Sequence, residues 1–115
     1  MYRVSDEEFD SLVNDALDTV PAHVVERMGN VVVLVRPYHE EEPSTLGLYE
    51  GVPLTERTFD HTGYLPDAIF LYKEALEQLA TTYEELAHEV RVTLFHEIGH
   101  YFGIEEDRLH ELGWG

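Results

Sequence analysis

A segment that reads as one helix of about five turns, from Thr82 to Gly103, constrains the fold most. Thr82 and Glu85 have the spacing of a capping box, and glycine at position 103 is typical of a helix C-terminus. Apolar residues recur between them at helical intervals on one broad face: Tyr83, Leu86, Ala87, Val90, Leu94, Phe95, Ile98, Tyr101 and Phe102. The pattern predicts that this helix packs against the core.

A second amphipathic helix is predicted near the start of the chain. Ser5 and Glu8 again have capping-box spacing. Apolar residues then recur at helical intervals up to Pro21: Phe9, Leu12, Val13, Ala16, Leu17 and Val20. Pro21 can begin another short helix, predicted from Ala22 to Met28 and closed by Gly29.

Three strands are predicted between these helical regions. Val31 to Arg36 is continuously aliphatic up to its last residue, which favours a central strand covered on both faces. Leu46 to Glu50 is followed by glycine and Pro53, a combination typical of an edge or bulged strand. Ala68 to Tyr72 is the third candidate. We therefore predict an α+β fold, and a length of 115 residues suits one domain spanning 1–115.

The charge of the chain excludes some classes of function. Seven Lys and Arg against 24 Asp and Glu give a formal net charge of -17, which disfavours nucleic-acid binding. This excess of acidic residues is typical of a well-solvated surface, and attraction of a basic partner stays open.

The longest aliphatic run, Val31 to Val35, is too short to span a membrane, and the first residues do not resemble a secretory signal. We predict a soluble, cytoplasmic protein that binds no membrane.

The stretch HEIGH, residues 96–100, predicts a metal site on the long helix. His96 and His100 are four residues apart, so both imidazoles can reach one ion at about 2.0–2.1 Å. Glu97 lies on the flank of this pair, where it can hold a water molecule on the metal. Cysteine is absent, so any transition-metal site must use His, Asp or Glu.

The residues after the second histidine offer a third ligand. Gly103 can take the left-handed conformation that ends the helix and turns the chain back toward the two histidines. Glu106 is placed to be that ligand, and the spacing leaves its neighbours Glu105 and Asp107 open as alternatives. An acid that is not a ligand could accept the second N–H of a ligating imidazole.

HEIGHYFGIEEDRLHELGW resembles the metal-site segment of the zincin metallopeptidases, and in particular of the minimal zincins, which are small single-domain proteins. LGLYEGVPLTER and LPDAIFLYKEAL resemble the same family, so the resemblance covers most of the chain from about Val31 onward. It implies a small mixed β-sheet packed with helices, one zinc ion on the long helix and peptidase-like activity. It also implies that an extended peptide or protein substrate docks along an edge strand, here Leu46 to Glu50.

The sequence departs from its relatives at several points. The third ligand position of the minimal zincins usually holds Asp, where this chain has Glu106. The downstream Met-turn of the metzincins is missing, because the two methionines, Met1 and Met28, both lie upstream. A ligand on a separate later helix, as in the gluzincins, could only be Glu111.

Other residues in and around this segment are predicted to lie outside the metal site. His88 would be rotated away from the histidine pair and is predicted to face solvent, and His110 is predicted to have a supporting or surface role. Trp114 is predicted to pack against the last turn.

An oxyanion-stabilising group could come from Tyr64, Tyr101 or His61, which spacing does not separate. For Tyr101, its position on the helix favours the core.

Two functions remain in view. The first is a zinc-dependent hydrolase that cleaves peptide bonds, with zinc on His96, His100 and Glu106 and with Glu97 as the general base. The second is a metal-binding module for protein interaction without catalytic turnover, favoured by the absence of room for cleft-lining subdomains. The native metal, substrate preference and oligomeric state stay open, since such a ligand set accepts several divalent ions.

Overall fold

A computed structural model describes residues 1–51 and 67–111 of the chain. Helices and strands are mixed along these ranges, which confirms the predicted α+β class. In chain order the elements are α1 (Asp6–Asp18), α2 (Ala22–Met28), β1 (Val31–Arg36), β2 (Gly47–Glu50), β3 (Asp67–Tyr72), α3 (Lys73–Leu79), α4 (Tyr83–Tyr101) and α5 (Glu106–Glu111).

The described strands form a mixed sheet in the order β1-β3-β2. β1 runs parallel to β3, with Val33 opposite Ile69, and β2 runs antiparallel to β3, with Tyr49 opposite Ile69. Among the described strands, β2 therefore lies at an edge, as predicted. The prediction that Val31–Arg36 is central is wrong for this sheet, because β3 lies between β1 and β2. An aliphatic run of this length suits a central or an outer strand. In the outer position β1 is still partly buried along most of its length, so its aliphatic side chains are shielded from water there too.

Both predicted N-cap residues cap the starts of the two longest described helices. The Ser5 hydroxyl accepts a hydrogen bond from the Glu8 N–H at 3.1 Å, and the Thr82 hydroxyl accepts one from the Glu85 N–H at 3.1 Å. Each cap satisfies a backbone donor that has no partner within its helix. In the ranges that the structure describes, no helix is long and apolar enough to cross a bilayer.

The core lies between the sheet, α1, α3 and α4. It includes Phe9 of α1, Leu71 of β3, Leu76 of α3 and Leu94 of α4, none of which exposes any side-chain surface. The predicted core face of α4 is largely correct. Tyr83 is the exception: it lies in the first turn of α4, is 41% exposed, and packs its ring edge-on against Tyr2.

Two short helices were not predicted. α3 follows β3 directly and buries Ala75, Leu76 and Glu77, so the apolar run of β3 continues into a helix without a turn signal. α5 begins at Glu106. From the sequence, the acidic residues of this segment are interpreted only as metal ligands or as hydrogen-bond partners of the ligands.

Candidate metal centre

α4 has a second face, adjoining its core face, that lines a groove beside the edge strand β2. This face carries Glu89, Val92, Thr93, His96, Glu97 and His100, which recur at intervals of three and four residues. His96 and His100 are one turn apart, and their ring centroids are 4.7 Å from each other. The structure thus brings the two predicted histidines together at the surface of the groove.

A glycine turn ends α4 and redirects the chain. Gly103 has a φ of 76°, as the sequence predicted, and its N–H donates to the His100 carbonyl at 2.9 Å. The Ile104 N–H donates to the Gly99 carbonyl, also at 2.9 Å. This pair of bonds is a Schellman motif, which requires the left-handed conformation that glycine adopts without a Cβ penalty.

Packing between two neighbouring helices fixes where the redirected chain goes. Leu109 of α5 is fully buried, and its side chain occupies the place that a Cβ at Gly99 would take. α5 therefore lies directly on the backbone of α4, at a residue between His96 and His100 in the sequence. This contact holds the start of α5, and with it Glu106, beside the histidine pair.

The Glu106 carboxylate contacts both histidines. Its Oε1 is 2.9 Å from the Nε2 atom of His96 and 2.9 Å from that of His100. Desolvation tends to raise the pKa of Glu106, but the hydrogen bond and charge of His96, together with those of His100, outweigh it and lower the pKa below its ordinary value. This carboxylate is therefore ionised at neutral pH and points into the histidine pair.

These three groups suit a zinc ion. Two imidazole nitrogens and one carboxylate oxygen are a common ligand set for zinc that keeps an open position. In a tetrahedral site with bonds near 2.0–2.1 Å, neighbouring ligand atoms stand roughly 3.3 Å apart. The 2.9 Å distances here are shorter by only a few tenths of an ångström, so small side-chain rotations would admit the ion.

Glu97 lies beside the histidines but in a different environment. It is 6% exposed, and its carboxylate accepts a hydrogen bond from the backbone N–H of Tyr49 in β2. Burial raises the pKa of Glu97 to about 7, against the lowering effect of the neighbouring His96. A carboxylate with a pKa near neutrality can accept a proton and release it again.

His96, Glu97 and His100 also form a possible ligand group, since they can offer atoms within 4.8 Å of one another. The two carboxylates differ in their contacts, because Glu106 touches both imidazoles while Glu97 is held by β2.

The edge strand approaches the metal helix closely at a glycine. A Cβ at Gly47 would lie 2.6 Å from Thr93 Cγ2 and 3.2 Å from Glu97 Cγ, so a larger residue would push β2 away. Tyr49 is fixed two residues later, where its hydroxyl donates to Asp67 Oδ2 at 2.9 Å. Gly47 thus allows the close approach that places the Tyr49 N–H on Glu97.

A model of the family described as zincin-like metallopeptidases matches residues 23–114, most of the chain. The chain belongs to this family. The matched residues include α4, α5 and the edge strand, so the family extends over every element that builds the candidate centre. The predicted resemblance is confirmed.

Among solved structures, this zincin-like chain is similar to a conserved hypothetical protein from Thermus thermophilus. The two are 26% identical, with a TM-score of 0.63, and the similarity covers 86% of this chain and 94% of the other. The description of that protein states no activity, so the likeness supports the fold. No curated protein matches the chain significantly.

Other predicted residues have different places in this zincin-like fold. His88 is exposed on α4, as predicted. His110 is exposed, with its Nε2 4.0 Å from Glu106 Oε2, at the rim of the centre. Glu111 forms an ion pair with Arg108 at 2.9 Å.

Among the candidates for stabilising an oxyanion, Tyr101 is buried in the core at 3% exposure, as its helical position predicted. His61, Tyr64 and Trp114 lie outside the described residues.

Three residues that shape the centre were not predicted from the sequence. Gly99 and Gly47 act by having no side chain, and Tyr49 acts through its backbone N–H. Gly99, inside a strongly helical pattern, was a usable signal, since glycine there costs about 1 kcal/mol relative to alanine. Such a glycine indicates close packing of another element.

Gly99→Ala is expected to weaken zinc binding about tenfold, although alanine favours the helix. The added methyl group would overlap Leu109, and the displaced α5 would carry Glu106 away from the histidines. Competition with a chromophoric chelator measures the affinity. In a Leu109→Ala background the space is free, so Gly99→Ala should no longer weaken binding; an equal loss in both backgrounds would contradict this packing role.

Proposed function

We propose that the protein is a zinc-dependent peptidase, in which His96, His100 and Glu106 hold the ion and Glu97 is the general base. The observation that carries the proposal is the meeting of Glu106 Oε1 with both imidazole Nε2 atoms at 2.9 Å, next to the buried Glu97. Membership of the zincin-like metallopeptidase family supports the same reaction class.

Each side chain has a separate task in this proposal. When bound, zinc supplies Lewis acidity, which polarises a substrate carbonyl and lowers the pKa of a bound water molecule to near 7. Glu97 accepts the proton of the attacking water through its carboxylate and delivers it to the leaving amine. Its burial and its hydrogen bond from Tyr49 hold the carboxylate in one orientation.

The peptide substrate is proposed to lie along β2. The Leu46 carbonyl accepts a hydrogen bond from the Tyr72 N–H at 3.0 Å, so the backbone groups of Leu46 point toward β3. Because these groups alternate along a strand, those of Gly47 and Tyr49 point into the groove. The Tyr49 N–H bonds to Glu97, and the carbonyl groups of Gly47 and Tyr49 are placed to pair with an extended peptide.

A zinc-dependence assay on a diverse peptide mixture tests this function. Protein treated with a chelator should cleave no peptide, and one equivalent of zinc should restore cleavage, read by mass spectrometry. Absence of cleavage at any zinc level would contradict the peptidase proposal.

A metal-binding module without turnover is the second candidate. It is favoured by the position of Glu106 at the start of α5, since an ion held there would tie α5 to α4. If zinc raises the melting temperature while no peptide is cleaved, this candidate replaces the first.

A further inference from the structure

The groove between α4 and β2 continues past the histidines toward the N-terminus of α4. There it forms a cavity of about 340 Å³, which shares Gly47, His96 and Glu97 with the metal centre. Its walls are Leu46 on the strand side and Val92 with Thr93 on the helix side, and Glu89 also lines it. The cavity thus combines aliphatic walls with two carboxylates: the buried Glu97, shared with the metal centre, and the partly buried Glu89, about two turns nearer the N-terminus of α4.

The distance along α4 sets the length of side chain that the cavity can hold. Glu89 precedes His96 by seven residues, or two turns, which is about 10 Å along the helix axis. A lysine side chain reaches roughly 6 Å from its Cα, and a glutamate side chain roughly 4 Å. A residue anchored near the histidines can therefore place a cationic head on Glu89, whereas a short side chain cannot.

The charge of the groove favours the same occupant. The described residues that line the metal centre and the cavity include Glu89, Glu105 and Glu106, and none of these lining residues is Lys or Arg. Among residues 1–51 and 67–111, no ion-pair partner is found for Glu89. A cation entering the cavity would find a carboxylate without a partner in these ranges and aliphatic walls for its stem.

We propose that this cavity binds a lysine or arginine side chain of the substrate, next to the peptide bond that is cleaved, so that the substrates are basic peptides. The aliphatic stem lies against Leu46 and Val92, and the cation pairs with the Glu89 carboxylate. This inference rests on the proposed peptidase function for the position of the peptide, and Glu89 is its specificity-determining residue.

Substrate profiling with the zinc-loaded protein tests the inference. Two peptide series differ only in lysine or norleucine at each position, because norleucine keeps the aliphatic stem and removes the cation. We expect kcat/KM about tenfold higher for lysine at one position beside the cleaved bond. Glu89→Gln should remove this preference, and Glu89→Lys should reverse it, so that the norleucine peptides are cleaved faster than the lysine peptides.

Glu84→Gln is the matched control, since it removes one negative charge from an exposed position of α4 that does not line the cavity. It should keep the lysine preference of the unaltered protein. An equal loss in Glu84→Gln and Glu89→Gln would assign the effect to net charge and overturn the inference. Cleavage with no preference between lysine and norleucine would also overturn it, while leaving the peptidase function in place.

Binding provides a readout that does not require turnover. Fluorescence anisotropy with the same labelled peptides and the Glu97→Gln variant should show tighter binding of the lysine peptide. The preference should disappear in Glu89→Gln/Glu97→Gln. If the protein cleaves no peptide yet binds with this preference, the peptidase proposal fails and the cavity assignment stands; equal binding of both peptides overturns the assignment.

Discussion

Glu97→Gln should retain one zinc ion per chain and lose peptide cleavage by about 10²–10⁴-fold. Glutamine has nearly the same shape and can still accept the hydrogen bond from the Tyr49 N–H through its amide oxygen. It cannot accept the proton of the attacking water. Cleavage rates at saturating peptide, together with elemental analysis of the purified variant, measure the two effects separately.

Zinc content and melting temperature distinguish the loss of a general base from the loss of a structural residue. Glu97 is buried, so a substitution that disturbed the site would also lower zinc content or shift the melting temperature. Glu84→Gln, at an exposed position of the same helix, should leave both cleavage and zinc content unchanged. Unchanged cleavage by Glu97→Gln would remove this residue from the mechanism.

Features that depend on local sequence were predictable. The two histidines and Glu97 lie on one long helix, which the helical spacing of its apolar residues and its N-cap residue predicted. Gly103 has the left-handed conformation that its position predicted. The edge position of β2 followed in the same way from Gly51 and Pro53 after a short strand.

Features that depend on contacts between distant segments were not predictable. The order of the sheet is one case, since β1 and β3 are both aliphatic and their patterns do not decide which is central. The orientation of Glu106 is another: it depends on Leu109 packing on Gly99, and the glycine indicates a close contact without indicating which residue makes it. Spacing left Glu105 and Asp107 open for this reason.

His96→Ala is expected to abolish stoichiometric zinc uptake. Structural zinc sites with four ligands bind with about 10–16 kcal/mol, so one ligand contributes about 2.5–4 kcal/mol, which is a loss of roughly 10²–10³-fold. Alanine also removes one of the two imidazoles that contact Glu106 Oε1, and so weakens the attachment of α5 to α4. Zinc content after gel filtration, and the shift in melting temperature on adding zinc, measure the effect.

His88→Ala is the matched control, because it removes a histidine from the same helix, two turns earlier and exposed to solvent. It should bind zinc as the unaltered protein does. Glu106→Gln and Glu105→Gln form a second pair: the first should weaken zinc binding strongly, since it removes the carboxylate that contacts both imidazoles, and the second should not. A loss confined to Glu105→Gln would move the third ligand by one residue, and full zinc retention by His96→Ala would contradict a metal centre on α4.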